Sequence, residues 1–208
     1  MGGTLLIVAT IPCATTRRIA LSTSTTTQIG VPAAGTYGID ASHSHVGFKV
    51  RHLVVGKTRG RFTEVDVTAV VAEDPTASTL EVTVPLASVD TRDVGRDEHL
   101  RSADFFDVEK HPNMTFRSTA VTPVGGDRWD VAGELTVRGV TRPLTLHASF
   151  EGGVSDPWGN DRAAFTATAE LDRESFGLTW NQALETGGVL VGKKIDIEIE
   201  AELVRAKA

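Results

Sequence analysis

The stretch Ile195-Asp196-Ile197-Glu198-Ile199-Glu200-Ala201-Glu202-Leu203 carries an apolar residue at every odd position and an acid at every even one. Successive side chains of an extended chain point to opposite sides, so the run reads as a β-strand with one face in a core and the other in water. The acids read as a solvated face. Period two returns at Val46, Phe48, Val50 and His52, with His45, Lys49 and Arg51 opposite, and at Leu80, Val82, Val84 and Leu86, with Thr79, Glu81 and Thr83 opposite. Further strands are predicted around Met114 and Phe116, from Trp129 to Val137, from Leu144 to Phe150 and from Phe165 to Leu171. Phe62 is out of phase with Val65, Val67 and Ala69, which predicts a bulge beside Gly60. Gly125-Gly126-Asp127 and Gly139-Val140-Thr141-Arg142-Pro143 predict hairpin turns.

One segment differs in kind. Residues 93–106 are charged and lack period two, which predicts a short helix or structured loop. Eight or so strands with almost no helix imply an all-β protein, either an antiparallel barrel or a sandwich. Strands of nine or ten residues favour an eight-stranded barrel of lipocalin type.

Composition bounds both the fold and its partners. Of 208 residues, 40% are hydrophobic and 23% charged, enough for a sizeable core. The net charge of −6 argues against nucleic acid as a partner. A single cysteine, Cys13, rules out an internal disulfide and a cysteine-based zinc site. Residues 1–35 hold two arginines, no acid and ten serines or threonines, which leaves net −8 to residues 36–208. We read 1–35 as a low-complexity tail, disordered or produced by a start placed too far upstream, and 36–208 as the folded domain. The apolar stretch from Thr4 to Ala14 is too short to span a bilayer. Arg17-Arg18 follows it rather than precedes it, contrary to the order of a secretory signal. The cytoplasm is the expected compartment, with export the alternative.

A search for catalytic sets finds no H-E-x-x-H and no G-x-S-x-G. His43 and His45 could offer two imidazoles to a metal, but no third ligand accompanies them at metal-site spacing. Asp97 and His99 could form an acid/base pair, although on a charged loop such residues more often cap a helix or bind backbone. The glycine-rich run 187–194 lacks the ending of a phosphate-binding loop and reads as a turn. His52 shares the apolar face of Val46, Phe48 and Val50, so it is either a core histidine bound to a carbonyl or a polar group that fixes a ligand's head.

Several blocks resemble the YceI-like family of polyisoprenoid-binding and lipid-binding proteins. They are Tyr37-Gly38-Ile39-Asp40 with His43-Ser44 and Val46 through Leu53; Gly60-Arg61-Phe62; Val89-Asp90-Thr91 leading into Arg96 through Val108, then Pro112 and Thr115-Phe116; Gly133 through Pro143; and Arg173 with Phe176-Gly177-Leu178-Thr179-Trp180. The resemblance covers about 170 residues and leaves the tail before Gly35 unmatched. It implies a lipocalin-like barrel around a long-chain isoprenoid, quinone-like or fatty amide ligand, with no catalysis and no cofactor.

Ten buried methylenes at roughly 0.8 kcal/mol each would give about 8 kcal/mol, near micromolar affinity before the costs of association. The expected wall is Val46, Phe48, Val50, Val82, Val84, Phe105, Phe106, Phe116, Leu135, Val137, Phe165, Phe176, Leu178 and Trp180, with His52 orienting the head. Strand parity does not separate a hollow core from a filled one. The alternatives are therefore a solid barrel acting through its surface in stress or interaction, and a histidine-dependent metal hydrolase. An exposed edge strand could pair into a homodimer.

Overall fold

A computed structural model of the chain describes Met1 and residues 31–53, 55–185 and 187–207. Most of the tail expected over residues 1–35, including the apolar stretch and the arginine pair, lies outside the described residues. The strands are β1 (Gly35–Ile39), β2 (His45–His52), β3 (Gly56–Phe62), β4 (Asp66–Val71), β5 (Thr79–Pro85), β6 (Val89–Asp90), β7 (Asn113–Gly125), β8 (Arg128–Val137), β9 (Val140–Ser155), β10 (Asp161–Asp172) and β11 (Val191–Arg205). All pair antiparallel in one sheet. Eight of them, β1, β4, β5, β7, β8, β9, β10 and β11, close a ring through the contact of β1 with β11. This is the eight-stranded barrel expected from the alternation.

The C-terminal strand organises the closure. Along one edge β11 pairs with β10 from Val204 to Lys194. Along the other it pairs first with β2, Ile197 opposite Phe48, and then with β1, Leu203 opposite Ile39. β1 and β2 thus form one interrupted strand. β3 and β4 form another, and their break at residues 63–65 accounts for the phase change at Phe62: the chain leaves the sheet there instead of bulging. Register shifts lie elsewhere, at Ser118/Ala120, Pro123/Gly125, Ala164/Phe165 and Val191/Ile195.

The hairpin expected over 139–143 turns one residue earlier. Val137 pairs with Val140, and Arg138 and Gly139 form the two-residue loop with φ of 51° and 74°. Two consecutive positive φ values are the mark of a type I′ turn, which follows the twist of the sheet. The only α-helix among the described residues, α1 (Val94–Arg101), falls inside the charged segment; Asp93 caps it by accepting from the N–H of Arg96 at 3.0 Å.

The interior has two parts. Tyr37, Val67, Ala69, Ala163 and Leu203 pack together near the β1–β11 closure, with Phe150 and Phe165 against them. Phe105, Phe116, Leu135, Val137, Phe176 and Leu178 belong to a second cluster toward the β2–β3 side.

Candidate functional site

Below the closure, β3 pairs on its far edge only with the two residues of β6, through Phe62 opposite Val89. The wall between β3 and β7 is completed by the chain from Leu86 to Pro112. Three charged side chains shape this segment by binding backbone. Arg101 donates to the carbonyls of Ala87 and Val89, both at 2.9 Å. Arg96 donates to the hydroxyl and carbonyl of Thr91, at 2.7 and 2.8 Å. Asp97, buried, accepts from the N–H and hydroxyl of Thr91. The charge density that breaks the alternation is thus what folds the segment, while Leu100, Phe105 and Phe106 face inward.

Behind this wall lies a cavity of about 190 Å³. β2 contributes Val46, Phe48 and Val50, and β11 contributes Ile195, Ile197 and Ile199 from the odd face of its alternation. Phe62 bridges the hairpin and the segment, with its ring 5.8 Å from Phe48 and 6.1 Å from Phe106. Of the expected wall, Val46, Phe48, Val50, Val82, Val84, Phe105, Phe106, Phe116, Leu135, Val137, Phe176 and Leu178 are brought together around the cavity.

Three expected residues lie elsewhere. Phe165 packs on Phe150 at 5.3 Å in the closure cluster, because it shares the inward face but sits further along the barrel. Trp180 lies behind Phe105 and edge-on to His99, with ring distances of 5.3 and 4.6 Å, and so supports the wall from outside. His52 is the last residue of β2, opposite Val191 and past the register shift, and does not line the cavity.

Among the described residues, the one charged side chain lining the cavity is Arg173, which parity did not single out. It follows β10 in a 3-10 turn over Arg173–Phe176 and is 2% exposed. Its guanidinium donates to the carbonyls of Gly192 (2.9 Å), Leu178 and, at 3.4 Å, Val191. Burial lowers its pKa, while the nearby acids Glu174 and Asp172 act in the other direction.

The residues considered for chemistry separate. Asp97 is taken by Thr91, whereas His99 pairs with Asp104 at 3.0 Å, so the two form no acid/base pair. His45 is apart from His43, which contacts Asp40 at 3.0 Å. Asp40, His43 and Glu202 do lie within 4.8 Å of one another. Arg162, however, donates to both carboxylates and to Asp156, so a guanidinium already neutralises the cluster. Hydrogen bonds from Ser42 and Arg162 hold the Asp40 carboxyl well below the usual aspartate range. No helix among the described residues is long and apolar enough to cross a membrane.

The sequence matches the YceI-like domain over residues 37–203. Protein YceI of Escherichia coli O157:H7 is 38% identical over 181 residues, which cover 86% of this chain and 91% of that protein. The YCEI protein of Campylobacter jejuni is 30% identical, with a TM-score of 0.63 over 81% of this chain and 97% of its own. A polyisoprenoid-binding domain from Saccharophagus degradans shares the fold, with a TM-score of 0.64 over 84% of this chain and all of the other at 15% identity.

Proposed function

The chain belongs to the YceI-like domain family, and from that premise we propose that it binds an amphiphilic lipid in its barrel and carries or sequesters it without catalysis. The observation that supports this most is the cavity: an apolar wall from β2, β5, β7, β8 and β11, with Arg173 as its one charge among the described residues. Such a site rewards a hydrocarbon by burial and can orient one polar head, here a carbonyl, hydroxyl or anion at the guanidinium. Isoprenoid, quinone-like and fatty amide chains all meet that description. The neighbour from Saccharophagus degradans is described as binding a polyisoprenoid. At its level of identity the likeness is one of fold, so the ligand class rests on the cavity lining.

Size refines the reading. A cavity of about 190 Å³ is slightly larger than the roughly 150 Å³ engineered void that admits benzene. It is smaller than the roughly 300 Å³ at which drug-sized sites begin. A chain of ten or more carbons therefore enters by displacing wall. The segment 86–112 is the part able to yield, since among the described residues only β6 ties it into the sheet by strand pairing.

The test is to purify the protein under native conditions and analyse an organic extract by mass spectrometry. A co-purifying long-chain lipid, or stoichiometric uptake of an added isoprenoid quinone, is expected. An empty extract with no uptake would favour a solid barrel acting through its surface.

A further inference from the structure

We propose that the β2–β3 hairpin docks the protein on an anionic lipid bilayer, its apolar tip entering the headgroup layer and its cationic outer face resting on it. The inference stands on the outer surface and does not depend on a ligand in the cavity.

The charge distribution is the first observation. The protein carries net charge −6, yet residues 45–62 contain Lys49, Arg51, Lys57, Arg59 and Arg61 and no acid. Strand pairing sets these cations against one another, Lys49 opposite Arg59 and Arg51 opposite Lys57. Like charges directly opposite destabilise an antiparallel pair, so the arrangement carries a cost within the fold that an external anionic surface would relieve. Lys49 and Arg61 have acidic partners from outside the hairpin, Glu198 and Asp90. Lys57 and Arg59, both exposed, have no ion pair among the described residues.

The tip is the second. Hairpin turns are ordinarily polar and rich in glycine. Here Leu53 and Val55 occupy the turn, 44% and 93% exposed. Leu53 donates its N–H to the carbonyl of Leu190 at 3.0 Å, which sets the tip beside a third exposed apolar residue, Val189. Apolar side chains at the end of a cationic ribbon match the two layers of a bilayer surface, acyl boundary and anionic headgroups. A soluble acidic protein would match the cations but leave the apolar tip in water.

The β9–β10 hairpin tip, which also exposes a large apolar residue, offers a contrast. Trp158 is 77% exposed, but Asp156 and Asp161 flank it, and the nearby Arg162 and Arg205 are paired with them. On β11 beside the hairpin, Asp196 lies opposite Lys49 and Glu198 pairs with it, which leaves Lys57, Arg59 and the tip as the contact, while acids more than about 8 Å from the bilayer are screened at physiological salt.

The experiment is co-sedimentation of the full chain with vesicles of phosphatidylglycerol and phosphatidylcholine in equal parts, and with phosphatidylcholine alone. Binding is expected to the mixed vesicles only, and to fall as salt rises. Each cation removed should weaken it about fivefold, so that K57Q/R59Q loses about 25-fold. V55S should weaken it further, while W158S, at the other hairpin, should bind as the parent does. Absence of binding to the mixed vesicles would overturn the proposal, as would undiminished binding by K57Q/R59Q. Loss of binding in W158S alone would overturn it too. Uptake of a quinone by the same protein, measured separately, reports on the cavity and leaves this result untouched.

Discussion

Asp97 accepts two hydrogen bonds from Thr91, one from the backbone N–H at 2.9 Å and one from the hydroxyl at 2.5 Å, and the carboxylate is buried. This contact joins the helix α1 to the end of β6, whose strand pairing is the only one among the described residues that anchors the segment covering the cavity. Replacing Asp97 with Ala removes a charged acceptor and leaves a buried N–H unpaired, a loss of about 2–3 kcal/mol. The midpoint of urea unfolding should fall accordingly. Because the segment is also the proposed way in, uptake of a long-chain ligand should become faster in stopped-flow mixing. An unchanged midpoint would mean that other contacts hold the segment.

Ile197 separates the hollow reading from the solid one. It lies on β11 between Phe48 and Ala169 and faces the cavity. Ile197→Phe should occupy space now open to a ligand. Excluding two methylenes costs about 1.6 kcal/mol, or about fifteenfold in affinity. A filled core would respond differently, since overpacking costs about 1–3 kcal/mol of stability. About fifteenfold weaker quinone binding with a thermal midpoint near the parent's is the expected pair of results. A large drop in midpoint with no change in binding would contradict the cavity.

The head group should respond to Arg173 and not to His52. His52 shares strand parity with Val50, which suggests a head-group role, but at the end of β2 it does not line the cavity. His52→Ala should therefore leave the preference between a quinone and a long-chain alcohol of equal length within about twofold, well under one kcal/mol. Arg173→Lys keeps the charge but loses the fork that binds three carbonyls, at about 1–3 kcal/mol of stability. It should also shift that preference. Competition binding at fixed tail length reads both, and a shift in His52→Ala alone would return the role to the histidine.

These residues show how far the fold and the cavity could be read from the chain. Alternation carried the barrel, because period two states which face each residue takes: Ile195, Ile197 and Ile199 face inward while Asp196 and Glu198 face out. Parity states nothing about height along the barrel axis. Phe165 and Phe116 are equivalent by pattern, yet one packs in the closure and the other lines the cavity. Arg173 was illegible for another reason. A charged residue after a strand reads as surface, and the carbonyls that make its burial tolerable come from Leu178 just past its own turn and from Val191 and Gly192, which only the fold brings near. The break between β3 and β4 looked like a bulge because both shift the phase of a pattern by one residue.

The barrel's closure should be acid-sensitive through Arg162. This side chain donates to Asp40 at 2.7 Å, to Asp156 at 2.9 Å and to Glu202, and so ties the start of the domain and the β9–β10 hairpin to β11. Hydrogen bonds from Ser42 and Arg162 lower the pKa of Asp40, and those from Asn160 and Arg162 lower that of Asp156, both well below the usual aspartate range. Since the folded-state values lie below those of the unfolded chain, the two aspartates add stability that is present above about pH 4. That stability declines as the pH falls through the folded-state values. Arg162→Gln should therefore flatten the fall in thermal midpoint below pH 4, with the parent and variant curves converging as the pH drops. Curves that stay parallel from pH 7 to pH 2 would show that the network contributes packing and not charge.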